Sequence, residues 1–329
     1  LQGLNVFLLE MFNRFMEPDT STPPNLSNDI LGVRKSDYMS TLGTDLPNAI
    51  DNFVQTARQE TALIDVLQPQ IAGQQLSATV RVTNKTGHRF PSGVGFRRAF
   101  IEFVVMDTGR TDPATGDAAV IWASGRTNAA GLIIDGQGSP LPTEYIGTAA
   151  NRRGAYQPHF YGTARPITSP AQVQIYEELI KDADGNFTTS FIRRDVTVKD
   201  NRLLPKGWTA RGPDPASLSG EFLRSTFPEG AAARDPSYLH GSGTHVVRYQ
   251  IPLSALPAGV DRARLRVKAT LVYQSIPPYY LMQRFEQATG GPATRRLFYL
   301  VSRLETKGTP IDGWRLPVVS SGPVAPTVR

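Results

Sequence analysis

Apolar and polar residues alternate with a period of two along much of this chain, a pattern that predicts β-strands. The clearest strands flank a loop at Asn84–Arg98: apolar residues occupy every second position from Leu76 to Val82, and Ala99–Met106 is apolar except for Glu102. Further strands are predicted at 62–71, Val120–Gly125, Leu132–Asp135, Gln172–Ile180, Phe187–Arg194, Val246–Ile251, Arg264–Tyr273 and Leu297–Leu304. The number and spacing of these segments indicate antiparallel sheets.

Helical spacing of apolar residues appears in three places. Residues 1–16 and a segment from Thr44 or Asp45 to Thr61 each carry one apolar face, and a short helix is expected at Tyr279–Ala288. The first helix must bury its apolar face, either on the core of its own domain or on a partner. Residues 17–29 contain three prolines and are expected to be a linker.

We therefore expect a mainly β protein, with a β-sandwich-like domain, a helical N-terminal segment and long loops. The predicted division is an N-terminal helical segment with its linker at 1–61 and the β-sandwich-like domain at 62–329. The tail from Gly308 is expected to be extended surface chain.

Two loops raise questions of function. Residues 136–170 have little periodicity, and His159 within them is either a metal ligand or part of a packed aromatic loop, with packing favoured. Asp182–Asn186 resembles the first half of a calcium loop, but no glutamate follows at the required place. A hairpin turn is the favoured interpretation there.

Composition restricts the classes of function. The 329 residues have a formal net charge of +6 and no cysteine, which excludes disulfides, zinc sites built on cysteine and thiol catalysis. No apolar run approaches the ~20 residues of a membrane-spanning helix. No block of lysine and arginine and no known motif points to nucleic acid.

Catalytic motifs are also missing from the sequence. Neither Gly-x-Ser-x-Gly nor His-Glu-x-x-His occurs, so hydrolysis is disfavoured. His240 and His245 are five residues apart, which places them on one face of neither a helix nor a strand, and His245 is expected to begin a strand.

The loop at Asn84–Arg98 concentrates unusual residues around one histidine. Glycines at 87, 93 and 95 and Pro91 shape the backbone, and Arg89, Arg97 and Arg98 are expected to place positive charge around His88. His88 is either a hydrogen-bonded surface residue or an exposed imidazole that binds a metal or cofactor, because imidazole is the commonest metal ligand.

A family resemblance favours the second interpretation. Thr86–Gly93 (Thr-Gly-His-Arg-Phe-Pro-Ser-Gly), followed by Arg97–Phe100, resembles the C-terminal, haem-free region of bacterial multihaem c-type cytochromes. Further matching stretches are Leu1–Phe12, Val173–Glu178, Val198–Trp208 and Tyr273–Tyr280. The resemblance implies that His88 is an axial ligand of haem iron, with Arg89 and Phe90 beside the cofactor, and His159 is a second, weaker candidate ligand.

This chain departs from that family in one respect. Without the Cys-x-x-Cys-His motif it cannot attach its own haem c, so the resemblance implies haem carried by a partner chain or by a lost upstream region. An apolar helix at the start also suggests a missing upstream part. The expected role is that of an electron-transfer component rather than an enzyme, in the periplasm or outside the cell, with oligomerisation possible. The alternative is a cofactor-free structural or adhesive β-sandwich protein of a cell-surface or periplasmic complex.

Overall fold

The computed structural model describes residues 2–15, 45–154, 159–162, 164–212 and 223–329, and the predicted linker at 17–29 lies outside them. The strands are β1 (Ala62–Ala72), β2 (Gln75–Asn84), β3 (Arg98–Thr111), β4 (Ala118–Ser124), β5 (Ile175–Tyr176), β6 (Glu178–Lys181), β7 (Phe187–Thr188), β8 (Val196–Asp200), β9 (Thr244–Pro252), β10 (Leu265–Gln274), β11 (Leu316–Ser320) and β12 (Thr327–Val328). The helices are α1 (Gln2–Phe15), α2 (Asp45–Glu60), α3 (Pro236–Leu239), α4 (Pro278–Gln287) and α5 (Pro292–Arg303). The protein is mainly β, as the sequence predicts.

Two sheets face each other across the main core. One has the strand order β12-β1-β2-β9, and the other has the order β11-β10-β3-β4 with β5 also paired to β3. Their inner faces interleave: the ring of Phe103 on β3 stacks on that of Tyr249 on β9, with centroids 4.0 Å apart. Both side chains are fully buried. A third, smaller sheet has the order β7-β6-β8.

The loop between β2 and β3 crosses from one sheet to the other. β2 pairs with β1 and β9, whereas β3 pairs with β10, β4 and β5. The predicted strands on either side are therefore confirmed, and they are not partners in a hairpin. This connection explains why residues 85–97 need more than a tight turn.

The helices form a second apolar cluster beside the sandwich. Phe7 of α1 is fully buried, and its ring stacks on Trp314 with centroids 5.6 Å apart. Val54 of α2, Leu281 of α4 and Leu300 of α5 belong to the same cluster. The first helix thus packs on the core of its own chain. The division at residue 61 stays a prediction.

Four segments differ from the sequence prediction. The predicted strand Leu297–Leu304 instead lies in helix α5, which runs from Pro292 to Arg303, except for Leu304 just after it. Leu297, Leu300, Val301 and Leu304 face inward at helical spacing. The return strand after the hairpin covers only Phe187–Thr188, and Leu132–Asp135 forms isolated bridges. The tail from Gly308, predicted to be extended surface chain, contains strand β11, in which Leu316 and Val318 are buried. Short apolar runs fit a helix and a strand equally well, which accounts for the first error.

The turn at Asp182–Asn186 is confirmed. Asp182 donates its N–H to the carbonyl of Asn186, and Gly185 has a φ of +78° that suits a glycine. Among the described residues, no group of three or more His, Asp or Glu side chains is placed to hold a metal ion. No helix in the described ranges is both long and apolar enough to cross a bilayer.

Candidate functional site

The loop that carries His88 is tied to the segment that follows β8. Phe90 and Leu203 exchange backbone hydrogen bonds of 2.9 and 2.7 Å. At the base of the loop, the side-chain amide of Asn84 donates to the carbonyls of His88 and Leu203, and its Oδ1 accepts from the N–H of Thr86. These bonds hold the loop on both sides of His88.

His88 lies on the surface of this loop. Its Nδ1 lies 2.9 Å from the carbonyl oxygen of Arg89 and 3.3 Å from the hydroxyl of Thr86. A carbonyl only accepts, so Nδ1 carries the hydrogen and Nε2 of the neutral ring keeps its lone pair. Within the part of the chain that the structure describes, Nε2 has no hydrogen-bond partner. Hydrogen bonding through Nδ1 is the arrangement that orients a histidine for metal binding through Nε2.

A cleft of about 230 Å³ opens beside the imidazole. It lies between the end of α2, the His88 loop and the strands β10 and β11. Its lining residues are Thr56, Ala57, Glu60, Thr61, Thr86, His88, Phe90, Ser92, Tyr273, Leu316 and Val318. The hydroxyl of Tyr273 is buried. Burial raises the pKa of Tyr273 to about 12, although the neighbouring Arg97 opposes this.

Arg89 and Phe90 anchor the loop. The guanidinium of Arg89 forms an ion pair with Asp200 and donates to the carbonyls of Ser225 and Phe227 at 3.1 and 3.0 Å. Asp200 also accepts from Arg202 at 2.9 and 2.7 Å. The ring of Phe90 is buried and lines the cleft. That Arg89 and Phe90 contact a cofactor stays a prediction.

Arg97 and Arg98 do not surround His88 with exposed charge. Both are buried, at 5% and 1% exposure. Arg98 donates to both carboxylate oxygens of Glu144 at 2.7 and 2.6 Å and to Gln274 at 2.8 Å. Burial acts to lower the pKa of Arg98, but Glu144 outweighs it and the pKa is raised. The prediction that Arg98 places positive charge around His88 is therefore wrong, because Glu144 neutralises its charge inside the protein.

His159, the second candidate, lies in a buried polar cluster. It is 6% exposed, and its Nε2 lies 3.0 Å from the hydroxyl of Thr143. Burial, with the charge of Lys199 adding to it, lowers the pKa of His159 to about 4. Its ring is thus packed and hydrogen-bonded, as the favoured interpretation expects. A metal role for His159 stays a prediction.

No sequence pattern predicted the ion pair at the centre of that cluster. Lys199 donates to Glu177 at 2.8 Å and to the carbonyl of Ile175 at 3.1 Å, with both charged side chains buried. Asn201 completes the network by donating to the carbonyl of Ile175 and accepting from the N–H of Glu177. The sequence signal that could have indicated this buried ion pair is the presence of charged residues within stretches that otherwise form strands.

The remaining two histidines lie in different environments. His245 is fully buried on β9, and its Nδ1 lies 2.9 Å from the hydroxyl of Tyr176. Burial lowers its pKa to about 4, against the opposing charge of Asp235. His240 is exposed. His88 is therefore exposed with its Nδ1 fixed by a backbone carbonyl, whereas His159 and His245 are enclosed.

Comparisons with known proteins give little further guidance. No protein-family model matches the chain, and no curated protein matches it. Among solved structures, a penta-heme cytochrome c552 from Thermochromatium tepidum aligns with a TM-score of 0.38 and 13% sequence identity. The alignment covers 82% of this chain and 41% of the cytochrome chain, so the chain spans less than half the length of that neighbour.

Proposed function

We propose that this chain is a non-catalytic module of a multihaem c-type cytochrome electron-transfer assembly. In this role it packs on haems carried by a partner chain or by an upstream region, and His88 supplies an axial imidazole to one haem iron. The assembly would lie in the periplasm or outside the cell.

One observation carries the proposal. The Nδ1–H of His88 is bound to the carbonyl of Arg89, which leaves the lone pair of Nε2 exposed, and the loop backbone is held on both sides of His88. A ligand fixed in this way loses little side-chain entropy when it binds iron. The sequence resemblance of residues 86–93 supports the same position independently.

The residues around His88 fit a porphyrin edge better than a bare metal ion. Ala57, Phe90, Leu316 and Val318 give the cleft apolar walls, and the described residues hold no cluster of carboxylates or imidazoles around His88. When bound, haem would supply one-electron chemistry, with a potential set by its axial ligands and burial. This chain would orient the imidazole and exclude water. The lack of cysteine requires that haem c be attached elsewhere.

Asp200 would position the ligand indirectly. It holds Arg89, whose carbonyl in turn holds Nδ1 of His88. Arg202 binds the same carboxylate, and its contacts leave Asp200 almost fully buried. The orientation of the imidazole is thus linked to a buried ion-pair cluster.

A haem c peptide with one open axial position provides a direct test. We expect the purified chain to convert the ferric peptide to a low-spin form, seen as a shift of the Soret band, because Nε2 of His88 completes its coordination. His88→Ala should remove most of the shift. His240→Ala is the matched control, since His240 is also exposed, and it should behave like the original protein.

An equal loss in both variants would indicate unspecific binding by surface histidines. No spectral change with the original protein would contradict the proposal and favour the cofactor-free structural or adhesive role, in which the bonds of His88 to Thr86 and Arg89 serve only the loop. Circular dichroism of each variant would show that the fold is retained.

A further inference from the structure

Two elements, the 191–196 segment and helix α5, carry most of the large apolar side chains that are exposed among the described residues. Seven such side chains are exposed among the described residues, and four of them belong to the 191–196 segment and to α5. Ile192 is 99% exposed, Phe298 55%, Val196 48% and Phe191 46%. Phe191 and Ile192 are adjacent in the chain, and contiguous exposed apolar groups mark interaction sites more often than single ones do.

Helix α4 connects these two elements. On one side, Gln283 of α4 accepts from the backbone and the hydroxyl of Thr189 at 3.1 and 3.0 Å. On the other side, the ring of Phe285 meets that of Phe298 edge to face, with centroids 5.1 Å apart. The 189–196 loop and α5 are therefore both fixed to one short helix.

The outward face of α5 is basic and aromatic. With Leu297 and Leu300 directed at the core, Arg295, Tyr299 and Arg303 follow one another at spacings of four residues on the opposite side. The guanidinium of Arg303 lies over the ring of Tyr299, 3.7 Å from its centroid. The helix contains no Asp or Glu.

The cations of α5 are not neutralised by the described part of the protein. Arg295 and Arg303 donate only to the carbonyl of Gly290 and the hydroxyl of Ser302, and no described carboxylate pairs with Arg295, Arg296 or Arg303. On the loop, Arg193 is exposed as well. Arg194 differs, because Glu178 binds it at 3.0 Å.

We propose that these elements form a docking surface for an anionic phospholipid bilayer. The surface consists of Phe191, Ile192, Arg193, Arg295, Arg296, Phe298 and Arg303. Ile192 and the two phenylalanines enter the boundary between headgroups and acyl chains, and the guanidinium groups pair with lipid phosphates, which they bind in a bidentate manner. Arginines close to the bilayer surface attract an anionic leaflet.

A bilayer fits this surface better than an acidic protein does. A stable protein interface needs a continuous patch of about 800 Å² on each partner. Here the apolar groups stand on two separate elements, and Ile192 projects almost completely into solvent. A bilayer adapts to separate projections, whereas a protein partner would need matching pockets.

The carboxylates Asp195 and Glu286 are fewer than the arginines of this surface. Asp195 is exposed next to Arg194, and Glu286 on α4 accepts the N–H of Ala149 at 2.7 Å. The proposed surface still holds four arginines, Arg193, Arg295, Arg296 and Arg303. The proposal is independent of haem, since no residue of α5 or of the 189–196 loop lines the cleft at His88.

Vesicle flotation tests the proposal with the purified chain. We expect binding to phosphatidylcholine vesicles that contain about 30% phosphatidylglycerol, and at least about tenfold weaker binding to pure phosphatidylcholine. Raising the salt from about 0.05 to about 0.5 M should reduce the binding to anionic vesicles, because exposed charges are screened. A lack of vesicle binding would not count against the role proposed for His88.

Variants separate the apolar and the basic contributions. Ile192→Glu combined with Phe298→Glu, and Arg295→Glu combined with Arg296→Glu, should each weaken binding to anionic vesicles at least about tenfold. Leu63→Glu is the matched control, because Leu63 is 48% exposed on β1, and it should bind like the original chain.

Three results would overturn the proposal: no binding to anionic vesicles, equal binding to neutral ones, or unchanged binding by both double variants. Binding of poly-L-glutamate that depends on Arg295 and Arg296, without any binding to vesicles, would instead assign the surface to an acidic protein. Far-ultraviolet circular dichroism at the assay temperature confirms that each variant is folded.

Discussion

Arg98 and Glu144, 46 residues apart in the chain, form a bidentate ion pair with N–O distances of 2.7 and 2.6 Å in the interior of the protein. Arg98 opens β3 directly after the His88 loop, and Glu144 lies in a short 3₁₀ helix of the long segment 136–170. Gln274 of β10 accepts from Nε of the same guanidinium. The pair thus fixes the long loop to the central strands of one sheet.

The first prediction concerns this pair. Arg98→Met should lower the free energy of unfolding by about 3–5 kcal/mol, because it leaves the carboxylate of Glu144 buried without its cation. Arg98→Met with Glu144→Leu should cost less than the single change, since no charge stays buried. Urea denaturation at neutral pH measures both values. A double variant that is no more stable than the single one would contradict the argument.

The sequence located most of the secondary structure because alternation and helical spacing are local properties. It could not show that β2 and β3 belong to different sheets, since pairing depends on distant strands such as β9 and β10. The error at α5 has a local cause: Leu297–Leu304 is short, and apolar Phe298 and Tyr299 lie among the inward residues at 297, 300, 301 and 304, so the run fits a strand as well as a helix.

Side-chain burial was harder to foresee than the strands. Arg98 and Lys199 would ordinarily be exposed, and only their partners Glu144 and Glu177, distant in sequence, make their burial possible. The local glycines and proline correctly indicated that His88 lies on a shaped loop. The bond from its Nδ1 to the carbonyl of Arg89 depends on backbone geometry that a residue pattern does not encode.

The second prediction concerns pH. Burial is the main cause that lowers the pKa of both His159 and His245 to about 4. In the unfolded chain the pKa of each histidine is near 6.5, so between about pH 4 and pH 6.5 the unfolded chain binds more protons than the folded one. Stability therefore falls as pH drops through this range. Between pH 7 and 5 each histidine should account for about 2 kcal/mol of the loss.

Stability curves of histidine variants check this. Replacing His245 or His159 with Gln should reduce the difference in unfolding free energy between pH 7 and 5, whatever its effect at pH 7. The exposed His240 serves as the control, and His240→Gln should leave that difference unchanged. A pH dependence that survives loss of both buried histidines would refute the assignment.

The third prediction concerns Gly125, directly after β4. Its φ is +80°, and a Cβ atom there would lie 2.3 Å from the backbone oxygen of Ile101. Gly125→Ala should therefore destabilise the protein by about 3 kcal/mol, from backbone strain together with the clash. Gly73→Ala is the comparison: its φ is +56°, but nothing lies within 4 Å of the added atom.

For Gly73→Ala only the strain of the left-handed backbone remains, and the expected cost is about 1 kcal/mol. Thermal unfolding of the two variants under the same conditions gives the comparison. Equal costs would mean that the neighbouring backbone at Ile101 moves away without penalty.

The last prediction links the buried ion pairs to the proposed ligand. Asp200→Ala removes the shared partner of Arg89 and Arg202, so the loop that orients His88 should become less constrained. We expect weaker binding of the haem c peptide by about tenfold, because more of the imidazole's freedom must then be lost on binding. Asp261→Ala, which breaks the exposed pair with Arg264, should bind the peptide like the original chain. NMR of the His88 ring should show greater motion in Asp200→Ala alone. Weaker binding without this change in motion would mean that Asp200 acts on the peptide through charge rather than through the position of His88.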